Sequence, residues 1–144
     1  VQASAMLRLQ AGRAGVAEPV FCVPGAGATV TCFLPLVESL GVSVPVHGFQ
    51  ARGLDGQQAP QQTVEETAAS HVKALLSVKV NGPYRLVGHS FGGWIVLEMA
   101  RQLRAAGHAV APIVVLDGDP LADVTNLAKV AYTIRAGKVI YQKP

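Results

Sequence analysis

The chain has 144 residues and 15.0 kDa, a length that predicts one domain. Half the residues are hydrophobic, 15% are charged and the mean hydropathy is +0.34, which excludes a disordered chain and predicts a sizeable core. Twelve Lys and Arg against nine Asp and Glu give a formal net charge of +3, but the basic residues are scattered singly, so no nucleic-acid footprint is expected. No apolar run approaches the ~20 residues of a membrane span. Val1–Gly15 carries no signal-peptide core. The two cysteines, Cys22 and Cys32, fit neither a disulfide framework nor a zinc pattern and read as buried thiols of a cytoplasmic protein.

In chain order, a lead-in strand is predicted near Met6–Leu9. Val20-Phe21-Cys22-Val23 follows, a short apolar run closed by Pro24-Gly25-Ala26-Gly27, which is the pattern of a buried strand entering a glycine-rich loop. Apolar residues at Phe33, Leu36, Val37 and Leu40 give helical spacing over Thr31–Leu40, with Pro35 in the first turn. Val42–Phe49 reads as a strand and Ala51–Gln62 as a polar loop. Thr63-Val64-Glu65-Glu66 is a capping box that opens a helix to about Val78. A strand at Tyr84–Val87, a helix at Gly92–Ala106 and a strand at Ile113–Leu116 come next. Alternating strands and helices with unalternating apolar strands predict an α/β fold, a doubly wound sheet of four or five parallel strands with helices on both faces. After residue 118 the pattern changes to a polar turn, a short amphipathic piece at Leu121–Leu127, and a β-hairpin of Val130–Ile134 and Lys138–Tyr141 on one sheet edge. Residues 1–144 are thus one domain, with a core over 1–118 and a turn and hairpin over 119–144.

Gly88-His89-Ser90-Phe91-Gly92 is a G-x-S-x-G sequence between a predicted strand and a predicted helix, the setting a nucleophile elbow requires. Its glycines allow a turn sharp enough to present the Ser90 hydroxyl above the sheet. The Phe91 amide is the expected first oxyanion donor, and Gly25 or Ala26, in the loop after the first buried strand, the second. Asp117 ends the strand neighbouring Ser90, where the acid of a triad belongs, and Asp119 is the alternative. The base is the gap. In this fold the triad order is Ser, Asp, His, yet none of His47, His71, His89 and His108 follows Asp117. His89 adjusts the elbow at most, with its side chain directed away from the reaction face. His71 on a helix, His108 in a surface loop and His47 at a strand end read as structural. No ligand set for a metal is present.

Phe21 to Gly27, Val46 to Gly56 (VHGFQARGLDG), Thr63 to Glu66 and Gly82 to Gly93, extended by Met99 to Leu103 with Gly107 and Val110, resemble the thioesterase domains of nonribosomal peptide and polyketide assembly lines. The resemblance covers about Val20–Asp117. It implies an α/β-hydrolase fold, truncated here, and hydrolysis of carrier-bound acyl or peptidyl thioesters. By the same resemblance, Ser90 is acylated by a substrate on a phosphopantetheine arm, Asp117 matches the acid, and an acyl or peptidyl carrier protein is the partner; no bound cofactor is implied. The family's histidine and lid helices, which follow that acid, have no counterpart, so little or no turnover is expected. Ile113–Tyr141 resembles the C-terminal end of metal-dependent amidohydrolases, which implies a chimera, recombined or engineered, joined near Val115–Gly118. The competing readings are a non-enzymatic α/β scaffold and an acyl- or carrier-binding module.

Overall fold

The computed structural model describes residues 5–54, 56–79, 81–116, 130–135 and 138–142. Seven strands form one sheet: β1 (Ala5–Gln10), β2 (Val20–Val23), β3 (Val46–Gln50), β4 (Arg85–His89), β5 (Ile113–Leu116), β6 (Val130–Arg135) and β7 (Lys138–Gln142). Their order is β1-β3-β2-β4-β5-β6-β7. The middle four are parallel, β1 is antiparallel to β3, and β6 and β7 extend the other side as an antiparallel pair beyond β5. The expected hairpin therefore occupies one edge, with four parallel strands at the centre.

Helices cover the sheet unequally. The helices α2 (Val64–Val78) and α3 (Gly92–Ala105) pack against each other and on one face, while α1 (Leu34–Leu40) lies on the other. All four residues of β2 are buried, and they alternate between the layers: Phe21 and Val23 join the core under α2 and α3, and Val20 and Cys22 join the cluster with Phe33 and Val37. This two-sided burial is why the strand shows no polar alternation. Each parallel β-α-β step brings the chain back in the same direction, so the carboxyl ends of β2, β3, β4 and β5 share one edge.

Local chemistry sets the boundaries. The expected helix over Thr31–Leu40 is divided into a 3₁₀ turn at Val30–Phe33 and α1, because Pro35, at the start of α1, has no N–H with which to continue a helix from upstream. The expected strand from Val42 starts only at Val46: Gly41 has φ +75°, the Val44 amide bonds back to its carbonyl, and Pro45 has no amide for the ladder. The cap of α2 forms as expected, with the Thr63 hydroxyl accepting from the Glu66 amide at 3.1 Å; the Glu66 carboxylate reaches the amide of Gln62 rather than that of Thr63. The piece expected at Leu121–Leu127 lies outside the described residues.

Candidate active site

The strand β4 runs into α3 through Ser90 and Phe91. Ser90 has φ +51°, and among the described residues it is the one non-glycine with a positive φ. A left-handed backbone at a residue with a side chain costs roughly 1–2 kcal/mol, a strain that concentrates at functional turns. The turn is held from two sides: the Ser90 amide donates to the Leu116 carbonyl at the end of β5 (3.1 Å), and the Gly93 amide donates to the Ser90 carbonyl (2.9 Å). The side chain of Ser90 is exposed at the carboxyl edge of the sheet.

Missing side chains let this turn exist. A Cβ at Gly92 would lie 2.2 Å from the Val23 carbonyl oxygen, and one at Gly88 would lie 2.6 Å from the Gly92 oxygen. The start of α3 is thus in backbone contact with the end of β2, which brings the loop after β2 beside Ser90. A Cβ at Gly25 would lie 3.3 Å from Ser90 Cβ and 3.4 Å from His89 Nδ1. Gly25 and Ser90 are therefore neighbours. The Gly25 carbonyl accepts from Ala28 in a tight turn. The amides of Gly25, Ala26 and Phe91 have no hydrogen-bond partner among the described residues.

A cleft of about 140 Å³ begins beside this turn, lined by Gly25, Ala26, Phe91, Ile95, Thr67 and His71 among others. His71 is the residue that sequence reasoning passed over. It is 1% exposed, its ring stacks on Phe49 at 4.6 Å, and burial pushes its pKa down to about 4, so it is neutral at pH 7. The available signal was its position three residues after Ala68 on the buried stripe of α2, where a polar side chain is uncommon. The other histidines lie elsewhere. His47 stacks on Phe21 at 5.4 Å, with its pKa lowered by burial and by the Arg8 cation. His108 meets the edge of Tyr84, at the amino end of β4 and away from Ser90. No described side chain hydrogen-bonds the Ser90 hydroxyl. Asp117 and Asp119 lie outside the described residues; Leu116, bonded to Ser90, is the described end of β5. Among the described residues no cluster of His, Cys, Asp and Glu is arranged to hold a metal.

Comparison with known proteins finds the thioesterase domain over residues 18–132. The chain belongs to the thioesterase domain family. It is 38% identical over 106 residues to a dimodular nonribosomal peptide synthase of Bacillus subtilis, covering 74% of this chain and 4% of that one. It is 34% identical over 136 residues to the nonribosomal peptide synthetase CymA of Salinispora arenicola, covering 94% of this chain and 2% of that one. Among solved structures, the NocB thioesterase domain of the nocardicin cluster is similar at 28% identity and a TM-score of 0.65, over 73% of this chain and 46% of that one. The RedJ thioesterase of Streptomyces coelicolor is similar at 34% identity and a TM-score of 0.59, over 65% and 36%. The chain thus spans under half of these solved thioesterases and a small part of the synthetases. The family match runs to residue 132 and the CymA match over 136 residues, both too long to stop at Val115–Gly118. A junction there, and an amidohydrolase origin for the residues beyond it, gain no support.

Proposed function

We propose that this thioesterase domain transfers acyl or peptidyl groups from a carrier-bound phosphopantetheine thioester to Ser90. The single observation that carries the reading is the strained Ser90 turn, with three amides next to it (Phe91, Gly25 and Ala26) that no described residue takes up. In the reaction, Ser90 Oγ adds to the thioester carbonyl and the oxygen becomes an oxyanion. The Phe91 amide and one amide of the Gly25–Ala26 pair hold that charge, helped by the positive end of α3. The C–S bond then breaks, the sulfur leaves as the thiol of the arm with the proton from Ser90, and an acyl-serine remains. Water completes hydrolysis, or an internal nucleophile completes cyclisation. Asp117, next in sequence after Leu116, is the acid in this reading. Similarity to synthetases supports a carrier protein as partner. A cytoplasmic location is part of the same proposal, in keeping with the free thiols of Cys22 and Cys32.

The base sets the rate. None of the four histidines hydrogen-bonds the Ser90 hydroxyl, so acylation runs on the oxyanion donors and turnover of simple thioesters by this chain is very slow. A fluorophosphonate tests the reading without needing turnover: stoichiometric labelling of the parent, lost in Ser90→Ala, is the expected result. A parent that labels no faster than Ser90→Ala would favour the non-enzymatic scaffold instead.

A further inference from the structure

The cleft beside Ser90 ends against the core. Two of its walls belong to the Ser90 turn: Gly25, whose absent Cβ would lie 3.3 Å from Ser90 Cβ, and Phe91, the residue after Ser90. The lining continues to core side chains, with Phe49, His71 and Ile95 at 0%, 1% and 6% exposure. The polar groups of the lining are engaged within the protein. The Thr67 hydroxyl donates to the Thr63 carbonyl at 2.9 Å and Gln61 Nε2 to the Glu66 carbonyl at 3.3 Å. Arg52, half-buried on the loop after β3, gives its Nε–H to Gln58 Oε1 at 2.9 Å. His71 is neutral at pH 7, because burial lowers its pKa to about 4, and its ring lies on Phe49. The inner end therefore suits an apolar group. Its volume of about 140 Å³ is close to the ~150 Å³ of a cavity that accepts benzene, and under five times the ~30 Å³ of one water molecule.

Tethering decides which end of a thioester can enter. The phosphopantetheine arm continues into a carrier protein, so it cannot terminate inside a cleft closed by the core. The acyl group has a free end and can. We propose that this cleft is the acyl pocket of the domain and takes a short, uncharged acyl group of about four to six carbons, with Ile95 and Ala51 setting the length it accepts. The inference rests on the acyl-transfer reading and narrows its substrate class to short acyl groups, since a peptidyl chain exceeds the volume. Each methylene removed from water strengthens binding about fourfold. Reaction with Ser90 therefore quickens with chain length until the free end meets Phe49 and His71, and slows beyond that point, where further carbons overpack the site.

The experiment labels Ser90 with a series of alkyl fluorophosphonates, methyl to decyl, in which the alkyl chain on phosphorus stands in for the acyl group. Second-order labelling rates are compared within each protein across the series. For the parent, the rate is expected to rise about fourfold per methylene, to peak between butyl and hexyl, and to fall about tenfold by decyl. Ile95→Ala removes three carbons from the wall and is expected to move the peak about two carbons longer. Ala51→Leu adds three carbons at an exposed position of the lining and is expected to move the peak to ethyl or methyl. A rate that climbs evenly through decyl overturns the proposal, and so does a peak that neither variant moves. Should Ile95→Ala not fold, the shift in Ala51→Leu decides alone. If the parent labels with no member of the series, the acyl-transfer reading fails, and titration with hexanamide tests the cleft separately. Shifts of the Phe49 and His71 ring signals by NMR, lost in Ala51→Leu, support the pocket; unmoved ring signals in the parent refute it.

Discussion

Replacing Gly92 by alanine tests the backbone contact on which the whole site is built. The new methyl carbon would lie 2.2 Å from the Val23 carbonyl oxygen and 2.6 Å from that of Pro24. Carbon and carbonyl oxygen in close contact normally rest at about 3.3 Å or more, so α3 and the end of β2 must separate by about 1 Å. Neither side can yield cheaply, because both partners are backbone. Ile95, Val96, Met99 and Leu103 of α3 sit in the core under this helix, and all of them move with it. Overpacking alone costs roughly 1–3 kcal/mol, and the loosened core adds to it, so a loss of about 3–5 kcal/mol is expected. For a chain of this size that lowers Tm by about 12 °C or more. Urea denaturation with thermal melts reads the loss directly. Gly25→Ala is the internal comparison: its nearest contacts are 3.3–3.5 Å, so the loop shifts by a few tenths of an ångström and stability changes by about 1 kcal/mol or less. A Gly92→Ala protein that melts with Gly25→Ala would refute the contact between α3 and β2.

Ser90→Gly relieves the φ of +51° and is expected to hold stability level or raise it by up to about 1 kcal/mol while abolishing labelling; a loss of more than that in urea would count against a strained elbow. His71 supplies a pH dependence. Its folded pKa of about 4 lies below the ordinary 6.5, so the unfolded chain binds the proton first as pH falls. Stability is full above about pH 6.5, falls by about 3 kcal/mol towards pH 4 and then levels for this group. His71→Phe keeps the stack on Phe49 and should flatten that slope, and an unchanged slope in urea titrations would remove His71 as its source. Thr63→Ala deletes the hydroxyl that caps α2 and is expected to cost about 1 kcal/mol by chemical denaturation, with the active-site labelling rate unchanged.

Much of this molecule is written in short-range pattern. The apolar runs at Val20–Val23 and Ile113–Leu116 mark their strands to the residue, because burial on both faces leaves no polar position to blur the ends. The capping box sets the start of α2, and the glycines around Ser90 announce a sharp turn between β4 and α3. Those signals lie within a few residues of the feature they specify, so chain order is enough to read them. The remainder depends on what meets what across the fold. The antiparallel pairing of β1 with β3 is a choice of sheet edge, which no local spacing encodes. That Gly25 rests on His89, and that His71 lines the cleft instead of merely filling a helix, come from α2, α3 and the β2 loop converging at one end of the sheet. Local pattern specifies the elements and the sharp turn at Ser90. The neighbours of Ser90 are selected by tertiary packing, because contacts between distant segments depend on the shape and burial of the whole core rather than on either segment alone.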